Sequence, residues 1–94
     1  MQMRVHKLQR RPEFVRAVQV TIRDVYDVAK WCGGTICQPG NEGFNPAIIA
    51  IAGQLGEVRV PSGNWIAKSE HGHCFMIRKG EIGRLWLEEE KENS

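Results

Sequence analysis

Between Thr21 and Gly34 the chain carries its one strongly patterned helical segment, TIRDVYDVAKWCGG, with short β-rich runs on either side. Ile22, Val25, Val28 or Ala29, and Cys32 recur at the spacing of one helix face, while Arg23, Asp27 and Lys30 fall on the other. The Thr21 hydroxyl can cap a free amide, and Asp24 in the first turn suits the positive end of the helix dipole. Gly33-Gly34 ends the segment, because glycine accepts the left-handed backbone that closes a helix. A helix over Thr21–Cys32 is therefore expected, with a single apolar stripe that needs a sheet to bury it.

The flanking runs supply that sheet. Phe14–Val20 is rich in β-branched residues, and Pro12 before it lacks an amide donor, which suits the entry to a strand. Thr35–Gln38 reads as a strand, and Pro39-Gly-Asn-Glu-Gly43 is dense in turn formers. Ala47–Ala52 and Glu57–Val60 form a hairpin around Gly53–Gly56, and Trp65–Lys68 and His73–Ile77 a second across Glu70-His-Gly72. From Lys79 to Glu90 helix formers mix with Gly80 and Gly83, so helix and strand stay open. The expected fold class is α+β: a small antiparallel sheet of about five or six strands with one main helix packed on one face.

With 94 residues the chain makes one domain spanning 1–94, flanked by a polar basic N-terminal arm at 1–9 and an acidic tail at 88–94 expected to be disordered. Hydrophobic residues at 41% and charged residues at 26% exclude a collagen-like or disordered composition. The longest apolar run, Pro46–Gly53, falls far short of the roughly 20 residues of a membrane span, so no membrane partner is expected. No apolar segment follows the basic start MQMRVHKLQRRP, so a secretory signal is not expected either. Cys32, Cys37 and Cys74 are an odd set without disulfide-framework spacing, which fits a reducing compartment and buried thiols acting as small hydrophobes. The net charge of +2 is uneven: residues 1–87 hold 12 basic and 7 acidic side chains, net +5, and the glutamate-rich end opposes them. Such a body attracts anionic partners.

Three constellations bear on chemistry. On a strand, His71 and His73 would face one side, yet Glu70 and Gly72 make a turn of the same residues, and Cys32-x4-Cys37 is not zinc-knuckle spacing; no metal set is read. His73 and Cys74 are sequence neighbours and point apart on a strand, which leaves no base-paired nucleophile, no catalytic residues, and no enzyme. Pro39–Gly43 lacks the lysine and helix of a phosphate loop, so no cofactor is implied. What remains is a set of cations, Arg10, Arg11, Arg16, Lys68, Arg78 and Lys79, with Trp65, Phe75 and His73. Guanidinium groups fork onto phosphate oxygens and aromatic faces stack bases, so this set is the candidate ligand-binding site; for Trp65 a core role is the competing reading.

Leu8-Gln-Arg-Arg-Pro12 followed by Arg16-Ala-Val-Gln19, then Val28-Ala-Lys-Trp-Cys-Gly-Gly34, then Pro61–Gly72 with its Trp-Ile strand, resemble in order and spacing a family of small, mostly uncharacterised tailed-bacteriophage and prophage proteins. The chain departs from that family near its C-terminus. Where the family carries Gly-Glu-aromatic-aromatic-Pro-Cys-Lys-Pro-Asp, this sequence has Gly72-His-Cys-Phe-Met-Ile-Arg-Lys-Gly-Glu81. The resemblance implies a phage accessory protein in the host cytoplasm, with a counter-defence role. The reading that joins it to the cations is a non-enzymatic homo-oligomer that sequesters a small phosphorylated host molecule, such as a nucleotide immune signal. Apolar residues such as Ile49, Ile51 or Trp86 would extend edge strands into a partner copy, with ligand pockets between subunits. The alternatives are an interaction module that inhibits a host protein and a weak nucleic-acid binder.

Overall fold

The computed structural model describes residues 3–10, 13–41, 45–53, 55–82 and 87–88. Helix α1 spans Val25–Cys32, shorter at its start than the pattern predicts. Residues 22–24 form a turn instead, because the Thr21 Oγ1 accepts the Asp24 N–H at 3.1 Å and so caps that turn, leaving Asp24 to open the helix. The first helical bond runs from the Val28 N–H to the Asp24 carbonyl at 2.9 Å. The C-terminal end is as read: Gly33 takes φ +70°, and the Gly34 N–H closes on the Ala29 carbonyl.

The strands sort into two antiparallel sheets, where a single sheet was expected. The first contains β1 (His6–Arg10), β2 (Glu13–Gln19), β6 (Trp65–Lys68), β7 (Cys74–Ile77) and the two-residue β8 (Leu87–Glu88), in the order β7-β6-β2-β1-β8. The second is β3 (Thr35–Gln38), β4 (Ile48–Gly53) and β5 (Gly56–Pro61), in chain order. Both expected hairpins form, as β4–β5 and β6–β7. The split arises because β2 pairs with the distant β6, so β3, β4 and β5 close as a separate layer. The N-terminal arm is also corrected. His6–Arg10 is a strand whose amides pair along β2, anchored by the fully buried Leu8. Glu88 pairs with Leu8, and the rest of the acidic tail lies outside the described residues.

Alternation along the larger sheet gives it two apolar faces. Val18 and Ile66 pack with Val25 and Val28 of α1 and with Ile49, Ile51 and Val60 of the smaller sheet, so the helix and that sheet together cover one face. Leu8, Val15, Ala17, Ala67 and Ile77 form a second cluster on the other face, closed over in part by Trp65, Phe75 and Ile82. Ile49 and Ile51 are therefore no edge for a partner: they sit on the central strand of their sheet, 0% and 4% exposed. Trp86 lies outside the described residues.

Candidate functional site

Cross-strand register builds the site. Lys7 of β1 stands directly opposite Arg16 of β2, and Arg16 directly opposite Lys68 of β6. Directly opposed residues of antiparallel strands share a face, so the three cations form one row across adjacent strands, with its ends about 10 Å apart. The row lies beyond the end of the packed core on the helix-covered face, where Val18 and Ile66, two positions along their strands, turn inward. Like charges set directly opposite one another on a sheet are destabilising, and Arg16 and Lys68 are such a pair.

Lys68 is the positioned member. Its ammonium donates to the Trp31 carbonyl at 2.8 Å, at the C-terminal end of α1, and lies 4.4 Å from the centroid of the Trp31 ring. The helix C-terminus and the aromatic face both favour a cation there. One of three ammonium protons goes to Trp31, which leaves two for a ligand. Around these cations is an open pocket of about 440 Å³, completed by Ser69, Glu70 and Gly72 of the β6–β7 turn. That turn is tied by Ser69, whose Oγ accepts the N–H of His71 at 3.3 Å and of His73 at 3.2 Å. Its loop therefore presents Glu70 to the pocket from a fixed frame.

Of the residues expected to form one site, the structure joins Arg16 and Lys68 and adds Lys7. Trp65 is on the opposite face of the sheet, half-buried against the second cluster and edge-on to the His6 ring at 4.9 Å, which is the core role. Phe75 packs with that cluster too, and with His73 it borders a second pocket of about 440 Å³, between β7 and the tip of the β4–β5 hairpin at Leu55. Arg78 and Lys79 are exposed beyond the far end of β7, where the Lys79 N–H bonds to Asn64 Oδ1 at 3.0 Å. The Arg10 side chain and Arg11 lie outside the described residues. The residues that line this pocket come from β1, β2, β6 and the β6–β7 turn.

Near Lys68 lie two thiols. Cys74, its cross-strand neighbour, donates to the Cys32 carbonyl at 3.7 Å, and Cys32 to the Ala29 carbonyl at 3.7 Å. Burial pushes both thiols above their ordinary pKa, against the opposing pull of the Lys68 charge, so both stay protonated and poorly nucleophilic at neutral pH. Among the described residues no group of three or more His, Cys, Asp or Glu could hold a metal ion, and no helix is long and apolar enough to cross a membrane.

Fold and site define an α+β protein of two antiparallel sheets with a cationic pocket at one end of the larger. Compared with known proteins, the chain matches no family model, and no curated protein or solved structure is found similar to it.

Proposed function

We propose that the protein binds a small phosphorylated molecule at the Lys7–Arg16–Lys68 row. The observation that carries this reading is the register, which sets three cations side by side on an open pocket instead of scattering them. A cation that reaches a phosphate oxygen makes a charge-assisted bond to it, worth roughly 1.5–3 kcal/mol. The role proposed is binding and sequestration without turnover, in keeping with the half-buried thiols nearby, which burial keeps protonated. Joined to the resemblance to small phage proteins, the reading becomes a counter-defence protein that removes a phosphorylated signal of the host cytoplasm, acting as a homo-oligomer.

Native mass spectrometry of freshly purified protein tests this reading. The expected result is an oligomer carrying a retained phosphorylated ligand, with a rise in melting temperature when such ligands are added back at low salt. A ligand-free monomer with no such rise would refute it.

A second reading, an interaction module that inhibits a host protein, is favoured by one feature. Leu55 at the β4–β5 hairpin tip is fully exposed beside the more apolar second pocket. Replacing Leu55 by aspartate would abolish capture of such a partner and leave phosphate binding intact.

A further inference from the structure

Resting on that anion-site reading, we infer that the ligand carries hydroxyl donors beside its phosphate, a sugar phosphate in chemical class, and that Glu70 accepts them. The ground is a separation of opposite charges around one pocket. Arg16 and Lys68 border it from β2 and β6, and Glu70 borders it from the β6–β7 turn. Among the described residues no ion pair joins that carboxylate to either cation, and no hydrogen bond engages it. Two frames keep the charges apart. Lys68 is drawn to the carbonyl and ring of Trp31, while Ser69 closes the turn, its carbonyl accepting the Gly72 N–H at 3.0 Å and its N–H donating to the His73 carbonyl at 2.9 Å. A carboxylate only accepts hydrogen bonds, so in an anion pocket it costs affinity unless the ligand brings it a donor.

Both ends of such a ligand find partners. At the phosphate end, the Arg16 guanidinium can fork onto two oxygens and Lys68 has two N–H groups left. Ser69 adds a hydroxyl: its Oγ already accepts the His71 and His73 N–H groups, so its own proton is left to donate. Lys7 has an interaction of its own, and none of these donors depends on it. The other end is neutral, because a ligand ammonium reaching Glu70 would stand beside Arg16 and Lys68, whose two charges outweigh the one carboxylate. Sugar hydroxyls meet a carboxylate in this way in dinucleotide sites, where an acidic residue binds the ribose. The volume of about 440 Å³ falls in the range of small-molecule clefts.

Isothermal titration at low salt with methyl phosphate, ribose 5-phosphate and O-phosphoethanolamine, on the wild-type chain, Glu70→Ala and Glu70→Gln, tests this. Wild type should bind ribose 5-phosphate about tenfold more tightly than methyl phosphate, with O-phosphoethanolamine weaker than ribose 5-phosphate. Glu70 is at an exposed turn position, and Glu70→Ala should move the two main probes in opposite directions. Methyl phosphate should tighten about twofold as a screened repulsion is lost, and ribose 5-phosphate should weaken about fivefold as its acceptor is lost. Glu70→Gln, which removes the charge and keeps an acceptor oxygen, should tighten methyl phosphate equally and weaken ribose 5-phosphate only about twofold. Methyl phosphate binding as tightly as ribose 5-phosphate to wild type, O-phosphoethanolamine binding tightest, or both main probes tightening together in Glu70→Ala would each overturn the inference while leaving the anion site standing. Binding of none of the probes would overturn the anion site itself.

Discussion

Replacing Arg16 with glutamine removes the middle charge of the row and keeps most of the side-chain stem. Arg16 stands directly opposite Lys68, so the change deletes that opposed like-charge pair. Arg16 is exposed, and screening places the pair near the low end of the cross-strand range, a relief of roughly 0.2–0.5 kcal/mol. For a domain of this size that is a rise of about 1–4 °C in the melting temperature of the ligand-free protein. The same change should weaken diphosphate binding by about 10- to 100-fold, the loss of one charge-assisted hydrogen bond. Differential scanning fluorimetry with and without pyrophosphate reads both effects at once. The variant should melt higher than wild type without ligand and gain less when ligand is added. In 1 M salt, where the screening length falls to about 3 Å, the ligand-free difference should vanish. A variant that melts lower than wild type at low salt, or that keeps the full ligand-induced rise, would refute the reasoning that the row is repulsive when empty and anion-binding when filled.

Other expectations concern the framework. A Cβ at Gly34 would meet the Ala50 carbonyl oxygen and the Ile49 Cγ2 at 2.8 Å each; because the carbonyl belongs to a central strand and Ile49 to the core, Gly34→Ala should cost about 1–3 kcal/mol, read as a lower urea midpoint. Cys37 is exposed whereas Cys32 and Cys74 are half-buried, so at neutral pH a thiol-alkylating reagent followed by mass spectrometry should modify Cys37 first. Because burial raises the Cys32 and Cys74 pKa in the folded state, their contribution is fully present below the unfolded thiol value of about 9 and is lost as pH rises through the folded values. Urea midpoints should therefore fall between pH 8 and pH 10, and less steeply in Cys32→Ala.

The sequence made the local elements legible where local chemistry decides them. The stripe from Val25 to Cys32, the glycine stop at Gly33, and the two hairpins around Gly53–Gly56 and Glu70–Gly72 all depend on neighbours in the chain, and all are found. The start of the helix is ambiguous in the sequence because one hydroxyl, Thr21, can cap a turn as well as a helix. β1 is not legible in the sequence because its inward positions are His6 and Leu8 among basic residues, too few apolar side chains to show an alternation; pairing with β2 makes it a strand. The division into two sheets rests on the pairing of β2 with β6, a tertiary choice that no local pattern encodes.

The candidate site follows the same logic. Arg16 and Lys68 were recognisable as phosphate-binding residue types, but that they stand opposite each other, and opposite Lys7, is a fact of register. Lys7 and Arg16 come together only through the pairing of His6–Arg10 with β2. The aromatics could not be assigned from composition, because the side of the sheet a tryptophan takes depends on parity: Trp65 is opposite Gln19 and Ile77, and so lies on the face away from Lys68.

The central claim is that an anion binds at the row of three cations. Titrating isotopically labelled protein with inorganic pyrophosphate at low salt, and following the backbone amides by nuclear magnetic resonance, tests it most directly. The account predicts shifts concentrated at Lys7, Arg16, Lys68 and the Ser69–Gly72 turn, with the amides around Trp65 and Ile77 undisturbed. Absence of shifts, or shifts centred on the Trp65 face or on Arg78 and Lys79, would contradict it.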